Sequence, residues 1–445
     1  MRTTFRNLFS TRAAELKRNT HHATRIFAGA AILITTAIAL TPASRAATNY
    51  TAHEWGTFTS VQGSKGDLLS WRPLQSSELP KFVYGSKIAD TGLFLKTAVV
   101  TLQRLETPVI YFYAQNPMKV TADVTFPRGA ITEWYPNVSE INAMRFTTNG
   151  SNVTVLQEGH AVWRDLDILP DLKEAAAQQE TQLPQDSAGS HYFAARATSA
   201  NLIRAHTTNN TTELEKFIFY RGAGSFKTPL RVTLDTNSVV TVENTSDQPL
   251  AHLFLLNIHD GHGAFAVLDE LASSNSVRWR QLSDAPGEHW NRFDLPQFKD
   301  AISYQVQAAL TSAGLYPDEA QAMVNTWRDS WFTEDGVRVL YLLPRSWTDQ
   351  ILPLTLTPPP AELTRVMVGR AEVITPQVET NLFQLLSTAQ SGDTTAQVQA
   401  VNELKHLGRF SDPALQLAVS HTTNSALTTF SYQLLHPPQP GLTFE

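Results

Sequence analysis

The chain has 445 residues, a formal net charge of −6 and no cysteine, and charged residues make up 17%, against roughly 25% in an average globular protein. The length allows about two to four domains of roughly 100–200 residues and a real hydrophobic core, which argues against global disorder. The missing cysteines exclude disulfides, thiolate zinc sites, iron–sulfur clusters, a Cys nucleophile and a lipidated N-terminal Cys, and the acidic balance argues against a nucleic-acid partner.

Residues 1–25 carry Arg2, Arg6, Arg12, Lys17, Arg18 and Arg25 against one acid, Glu15. The uncharged run Ile26–Leu40 follows, then Pro42 and Ala43-Ser44-Arg45-Ala46. Ser44 and Ala46 suit the −3 and −1 positions of a signal-peptidase site, so residues 1–46 are expected to be a secretory signal and the body to be exported to the periplasm or beyond. The alternative is an uncleaved anchor, although the apolar run is shorter than the roughly 20 residues a membrane span needs. Without residues 1–46 the net charge becomes −12, which further disfavours nucleic acid or anionic lipid as partners.

The expected fold class is α+β: two β-rich, sandwich-like antiparallel regions (47–165 and 191–272), an α+β segment (273–375) and a helical tail (376–445). In the first region Val109–Ala114 is apolar on both faces. Val120–Phe126 alternates, with Val120, Ala122, Val124 and Phe126 on one face. The Asn116-Pro117 turn signal between them predicts a hairpin with a short connection. Residues 166–190 read as a short helix and polar linker. Lys216–Arg221, Leu230–Leu234, Val239–Glu243 and Leu250–Ile258 follow as strands.

Beyond residue 290, Phe298, Ile302, Val306 and Leu310 keep helical spacing up to Gly314. Pro317 opens a second helix with Asp318 and Glu319 in its first turn. Val337–Leu343 is a strand, Pro358–Pro360 a stiff spacer, and Leu363–Ile374 extended. Four helices are predicted at 376–389, 394–406, 412–420 and 424–435, with a turn like those of HEAT-type repeats but too few copies for a repeat array.

The string His53-Glu54-Trp55-Gly56-Thr57-Phe58-Thr59 resembles the mature N-terminus of a family of uncharacterised exported bacterial proteins. The resemblance continues through Leu105–Tyr113, Thr132–Pro136, Thr326–Phe332 and Arg338–Arg345, and is weakest in the tail. It implies export and a bacterial source. It transfers no activity and no catalytic residue.

Four constellations are able to carry chemistry. In an extended strand His53 and Trp55 share one face and Glu54 points away, so any site there is completed from elsewhere or the pair serves structure. Glu106 and Glu133 stand beside aromatic strands, where burial raises a carboxyl pKa, and two such groups across a sugar would make a glycosidase. His259-Asp260-Gly261-His262 predicts a two-residue type I′ hairpin with facing imidazoles, half of a metal site, with Asp260 as the nearest third ligand. Trp327 and Trp331 share a helix face, as a sugar-binding platform or as core.

There is no HExxH, GxSxG, Walker A, EF-hand or dinucleotide-loop motif. The leading reading is therefore an exported protein that binds an envelope or extracellular component, a glycan being the guess. Its binding residues would be His53, Trp55, Trp134, Tyr135, Trp327 and Trp331. The alternatives are a glycan hydrolase using two of Glu54, Glu106 and Glu133, and a metalloenzyme built on His259 and His262. No cofactor is indicated.

Overall fold

The computed structural model describes residues 49–74, 79–85, 99–142, 146–149, 152–155, 158–170, 183–186, 190–207, 211–280 and 291–435. The proposed signal, most of the 166–190 helix and linker, and the last ten residues lie outside them. In chain order the principal strands are β1 (Tyr50–Gly63), β2 (Gln103–Ala114), β3 (Met118–Phe126), β4 (Gly129–Tyr135), β5 (Gly159–Leu169), β6 (Leu202–His206), β7 (Ile218–Gly224), β8 (Leu250–His259), β9 (His262–Leu271), β10 (Gly336–Leu342), β11 (Leu354–Thr357) and β12 (Glu362–Ile374). The helices are α1 (Leu295–Ser312), α2 (Pro317–Trp331), α3 (Arg345–Ile351), α4 (Pro376–Gln390), α5 (Thr394–His406), α6 (Ser411–Val419) and α7 (Ser425–Leu435). The class is α+β, with large antiparallel sheets and a helical C-terminal region.

An 11-stranded sheet organises the body, in the order Asn291–Asp294, β9, β8, β10, β12, β1, β2, β7, β4, Tyr84–Gly85, with Leu68–Leu69 beside β1. It draws β1, β2 and β4 from the first β-rich stretch of sequence, β7, β8 and β9 from the second, and β10 and β12 from the third. β1 and β12 pair in parallel over Thr51–Gly63, while the other neighbours of this sheet pair antiparallel. A six-stranded sheet runs Thr212–Glu215, β6, β5, β3, β11, with Glu140–Ile141 against β5. Leu230–Leu234, Val240–Asn244 and Ser276–Trp279 form a third sheet.

The two apolar runs expected to form a hairpin are strands but not partners. β2 lies between β1 and β7, whereas β3 lies between β5 and β11. Their patterns explain the divergence. β2 is buried on both faces, as a central strand must be, while β3 buries only Val120, Ala122, Val124 and Phe126. The turn at residues 115–117 carries the chain from one layer to the next.

Those layers follow from which face is apolar. One face of the large sheet, with Phe58, Ile110, Phe112, Tyr220 and Val339, packs on Val124, Phe126, Trp163 and Ile168 of the second sheet and Val232 and Val242 of the third. The other face, with Trp55, Val109, Phe219 and Leu340, is covered by Phe298, Ile302 and Val306 of α1 and Met323, Trp327 and Trp331 of α2.

The tail helices start at sequence-encoded caps. The Thr375 hydroxyl accepts from the Val378 amide at 3.2 Å, and Asp393 accepts from the Thr395 and Ala396 amides at 2.8 and 3.0 Å. Each such cap contributes about 1 kcal/mol. The tail packs onto the body through Leu382, Leu386, Leu404 and Phe410 against Val61, Trp71 and Ile374, with Arg72 donating to Asp412 at 2.7 Å. Among the described residues no helix is long and apolar enough to cross a membrane.

Candidate functional site

The helix-side face of the large sheet changes character along its strands. Beneath α1 and α2 it is apolar; towards the tail it carries Thr57, Thr59, Arg104, Glu106, Arg221, Arg338, Arg370 and Glu372, each 6% exposed or less. Burying a charge costs several kcal/mol unless it is paired and hydrogen-bonded, and the pairing here is dense. Glu372 accepts from Arg370 Nε and Nη2 at 3.0 and 2.8 Å and faces Arg338 Nη2 at 3.1 Å. Arg370 also donates to Ser330 Oγ at 2.8 Å and to Glu334 at 2.7 Å. Arg338 donates to the carbonyls of Trp331, Glu334 and Asp335 at 2.9, 2.6 and 3.0 Å, where a cation also suits the negative end of α2.

Glu106 joins this lattice to the tail. It accepts from Arg409 Nη1 at 2.5 Å and Thr59 Oγ1 at 2.5 Å, with Arg104 Nε at 3.4 Å. Burial alone would raise its pKa, but the Arg409 and Arg104 guanidiniums and the Thr59 hydroxyl hold it well below the usual carboxylate range. Glu334 is lowered in the same way: burial opposes the charge, and Arg370, Arg409 and Arg338 outweigh it.

Next to Glu106, Arg221 lies opposite Glu133 in the sheet, and its Nη2 is 3.1 Å from His191 Nε2. Burial and the Arg221 charge push the His191 pKa down to about 3, so the imidazole is neutral and Nε2 accepts. Burial and Arg104 push Arg221 itself down to about 10. His191 packs on Trp327 at 5.1 Å, and Trp327 stacks on Trp331 at 6.0 Å and 12°.

The lattice opens on one side into a cleft of about 410 Å³. Its walls are Thr333–Gly336, the end of β12 (Glu372–Ile374) with Thr375 and Val378, and the tail turn His406–Phe410. Glu334, Glu372 and Arg409 bring the ion network to its floor, and Asp335 faces His406 Nε2 at 3.2 Å.

The residues singled out from sequence are divided among several places. Glu106, Glu133, Trp327 and Trp331 come together around Arg221 and His191. Glu54 does not join them. Strand alternation turns it to the opposite face, where Arg365 Nε donates to it at 2.5 Å and the Tyr220 hydroxyl also donates.

His53 Nδ1 meets Glu319 Oε2 at 2.7 Å, and Glu319 also accepts from Tyr113 Oη and the Tyr316 amide, tying β1 to the start of α2. Trp55, Trp134, Tyr135, Trp327 and Trp331 are all buried, between 0% and 7% exposed, so their rings serve as packing and not as open platforms.

His259 and His262 face each other across the expected two-residue turn, with Asp260 and Gly261 at φ of 49° and 73°. Their partners differ. His259 Nε2 lies 3.1 Å from Asp260, while His262 Nε2 lies 3.3 Å from Asp294 and Nδ1 2.9 Å from the Asp260 carbonyl.

Sequence reasoning missed Arg338, Arg370, Glu372, Arg409, Glu334 and His191. For the strand residues a signal exists: Arg338, Arg370 and Glu372 occupy alternate positions in otherwise apolar runs, where a charge must find a partner. Arg409 sits in a tail turn and carries no such signal.

No protein-family model and no curated protein matches this chain. Among solved structures it is similar to the Fcho1 mu homology domain of Danio rerio with a bound Eps15 peptide, at 7% identity and a TM-score of 0.26, over 74% of this chain and 98% of that one. It is also similar to the yeast delta-COP-I mu-homology domain, at 8% identity and a TM-score of 0.25, over 73% and 96%. Likenesses at that level carry no inference about function.

Proposed function

We propose that this chain is an exported binding protein whose ligand is a small, hydroxyl-rich molecule of sugar size held in the cleft between the strand ends and the tail helices. The observation that carries the reading is the cleft itself: about 410 Å³, with a floor of ion-paired groups, Glu334, Glu372 and Arg409, that are already locked in place. Pockets for small ligands span roughly 300–1,000 Å³ and combine a few fixed polar groups with apolar walls. Here Glu334 and Asp335 offer acceptors, Arg409 and His406 offer donors, and Ile374, Val378, Leu407 and Phe410 supply an apolar wall. That mixture suits a sugar ring, which is polar at its edge and apolar on its face.

Hydrolysis by the glutamate set is the weaker reading. Glu54 and Glu106 lie on opposite faces of the sheet, and Glu106 is held ionised with both oxygens engaged, which unsuits it as a proton donor.

The test is binding of a panel of cell-envelope oligosaccharides to the full chain by calorimetry. At least one should bind, with Val378→Trp filling the cleft and abolishing binding, and Tyr304→Ala on the exposed face of α1 leaving it intact. A blank panel, or binding indifferent to Val378→Trp, overturns the reading. Export is tested separately: mass spectrometry of protein recovered outside the cytoplasm should find Ala47 as the first residue, and retention of residues 1–46 would count against cleavage.

A further inference from the structure

Beside Asp335 in the cleft wall three side chains from two loops converge. The hairpin turn presents His259 and Asp260, and the pairing of Ile258 with Gly336 brings Asp335 alongside. One donor atom from each of His259, Asp260 and Asp335 lies within 4.8 Å of the other two. His259 Nε2 and Asp260 Oδ2 are 3.1 Å apart. In a tetrahedral site with bonds of about 2.0–2.2 Å, neighbouring donors sit roughly 3.4 Å apart. One pair is therefore already at ligand spacing, with the third donor within 4.8 Å of both.

We infer that His259, Asp260 and Asp335 form a binding site for a divalent transition metal of the zinc class. An imidazole with two carboxylates suits such an ion better than calcium or magnesium, which prefer all-oxygen shells. Two features support the set. Asp335 is anchored from below, because the buried Arg338 Nη2 donates to its carbonyl at 3.0 Å. It is also oriented from the side by His406, whose Nε2 lies 3.2 Å from Asp335 Oδ2, an outer-shell contact of the kind that fixes ligating carboxylates.

His262 is not a ligand. Its two ring nitrogens are directed to Asp294 and to the Asp260 carbonyl. Because Asp335 and His406 also line the cleft, a bound ion would fix one side of its mouth and join the hairpin, the loop before β10 and the tail.

The experiment is a zinc titration of the untagged full chain by calorimetry, with no sugar present, so that its result is independent of the cleft ligand. One saturable site per chain is expected, weakened at least tenfold by His259→Ala or Asp335→Asn, weakened by His406→Ala to a smaller extent, and unchanged by His262→Ala. All four side chains are partly or fully exposed, so the variants should fold, and circular dichroism checks that they do. The inference is overturned by the absence of a saturable site, by indifference to Asp335→Asn, or by a loss in His262→Ala equal to that in His259→Ala.

Discussion

Two buried ion networks occupy opposite faces of the same two neighbouring strands, β1 and β12. On the face towards the second sheet, Glu54 is held by Arg365 and Tyr220, and Arg365 continues to Asp349 at 2.7 Å and the Leu352 carbonyl at 2.7 Å. On the helix side, Glu106, Arg370 and Glu372 are held by Thr59, Arg409, Glu334 and Arg338. The chemistry is alike, carboxylate against guanidinium, but the first network keeps Glu54, Tyr220 and Arg365 buried and reaches the surface through Asp349, whereas the second forms the floor of a cleft. Paired charges therefore do not mark a site by themselves. What distinguishes the second is that it lines a cleft and is completed from the tail, through Arg409.

The sharpest way to break the comparison is to remove one partner on each side. Arg365→Ala leaves Glu54 buried without its cation and should cost about 3–5 kcal/mol in chemical denaturation. Arg409→Ala should cost less, about 1.5–3 kcal/mol for a hydrogen bond to a charged group beside a cleft that admits water, and should make the tail more susceptible to limited proteolysis. Equal costs would mean that the two networks are energetically one kind.

The network on the helix side also carries a pH dependence. His191, next to Arg221, has a folded pKa pushed down to about 3 from 6.5, so the folded state takes up fewer protons than the unfolded chain between those values. The stability this neutral imidazole contributes is complete above pH 6.5 and is lost as pH falls towards 3, at a limiting slope of about 1.4 kcal/mol per pH unit. Urea denaturation at pH 7 and pH 5 should show this loss in the parent and a smaller one in His191→Gln. Glu106 acts lower: with its pKa below the ordinary 4.5, its contribution is complete above that value and is lost on further acidification. The smallest effect is expected at the exposed hairpin, where His262→Ala should change stability by less than about 0.5 kcal/mol.

Much of this architecture was legible because its signals are local. The tail helices, the α1 and α2 spacing, the alternation of β3 and the Asp260-Gly261 turn were all read from neighbours a few residues apart. Pairing was not. Nothing near Asn116 states that β2 and β3 belong to different sheets, and nothing in β1 names β12, some 310 residues away, as its partner. The site suffered similarly. Burial beside aromatics suggested that Glu106 is a proton-donating acid, but its true state depends on Arg409, contributed by the last part of the chain. For Trp327 and Trp331 the sequence left platform and core both open, and their burial settles on the core: two large rings fill the stripe as well as any aliphatic pair.

The parallel pairing of β1 with β12 also sets an order in time. β1 sits inside the large sheet, yet the strand that covers one of its two edges ends at Ile374. A chain made from its N-terminus must therefore hold its first body strand with an uncovered edge until more than 300 further residues have been synthesised. Contacts so distant in sequence slow folding, so the body stays unlocked until almost the whole polypeptide exists. A chain that has to pass through a membrane pore before it folds would be served by that delay.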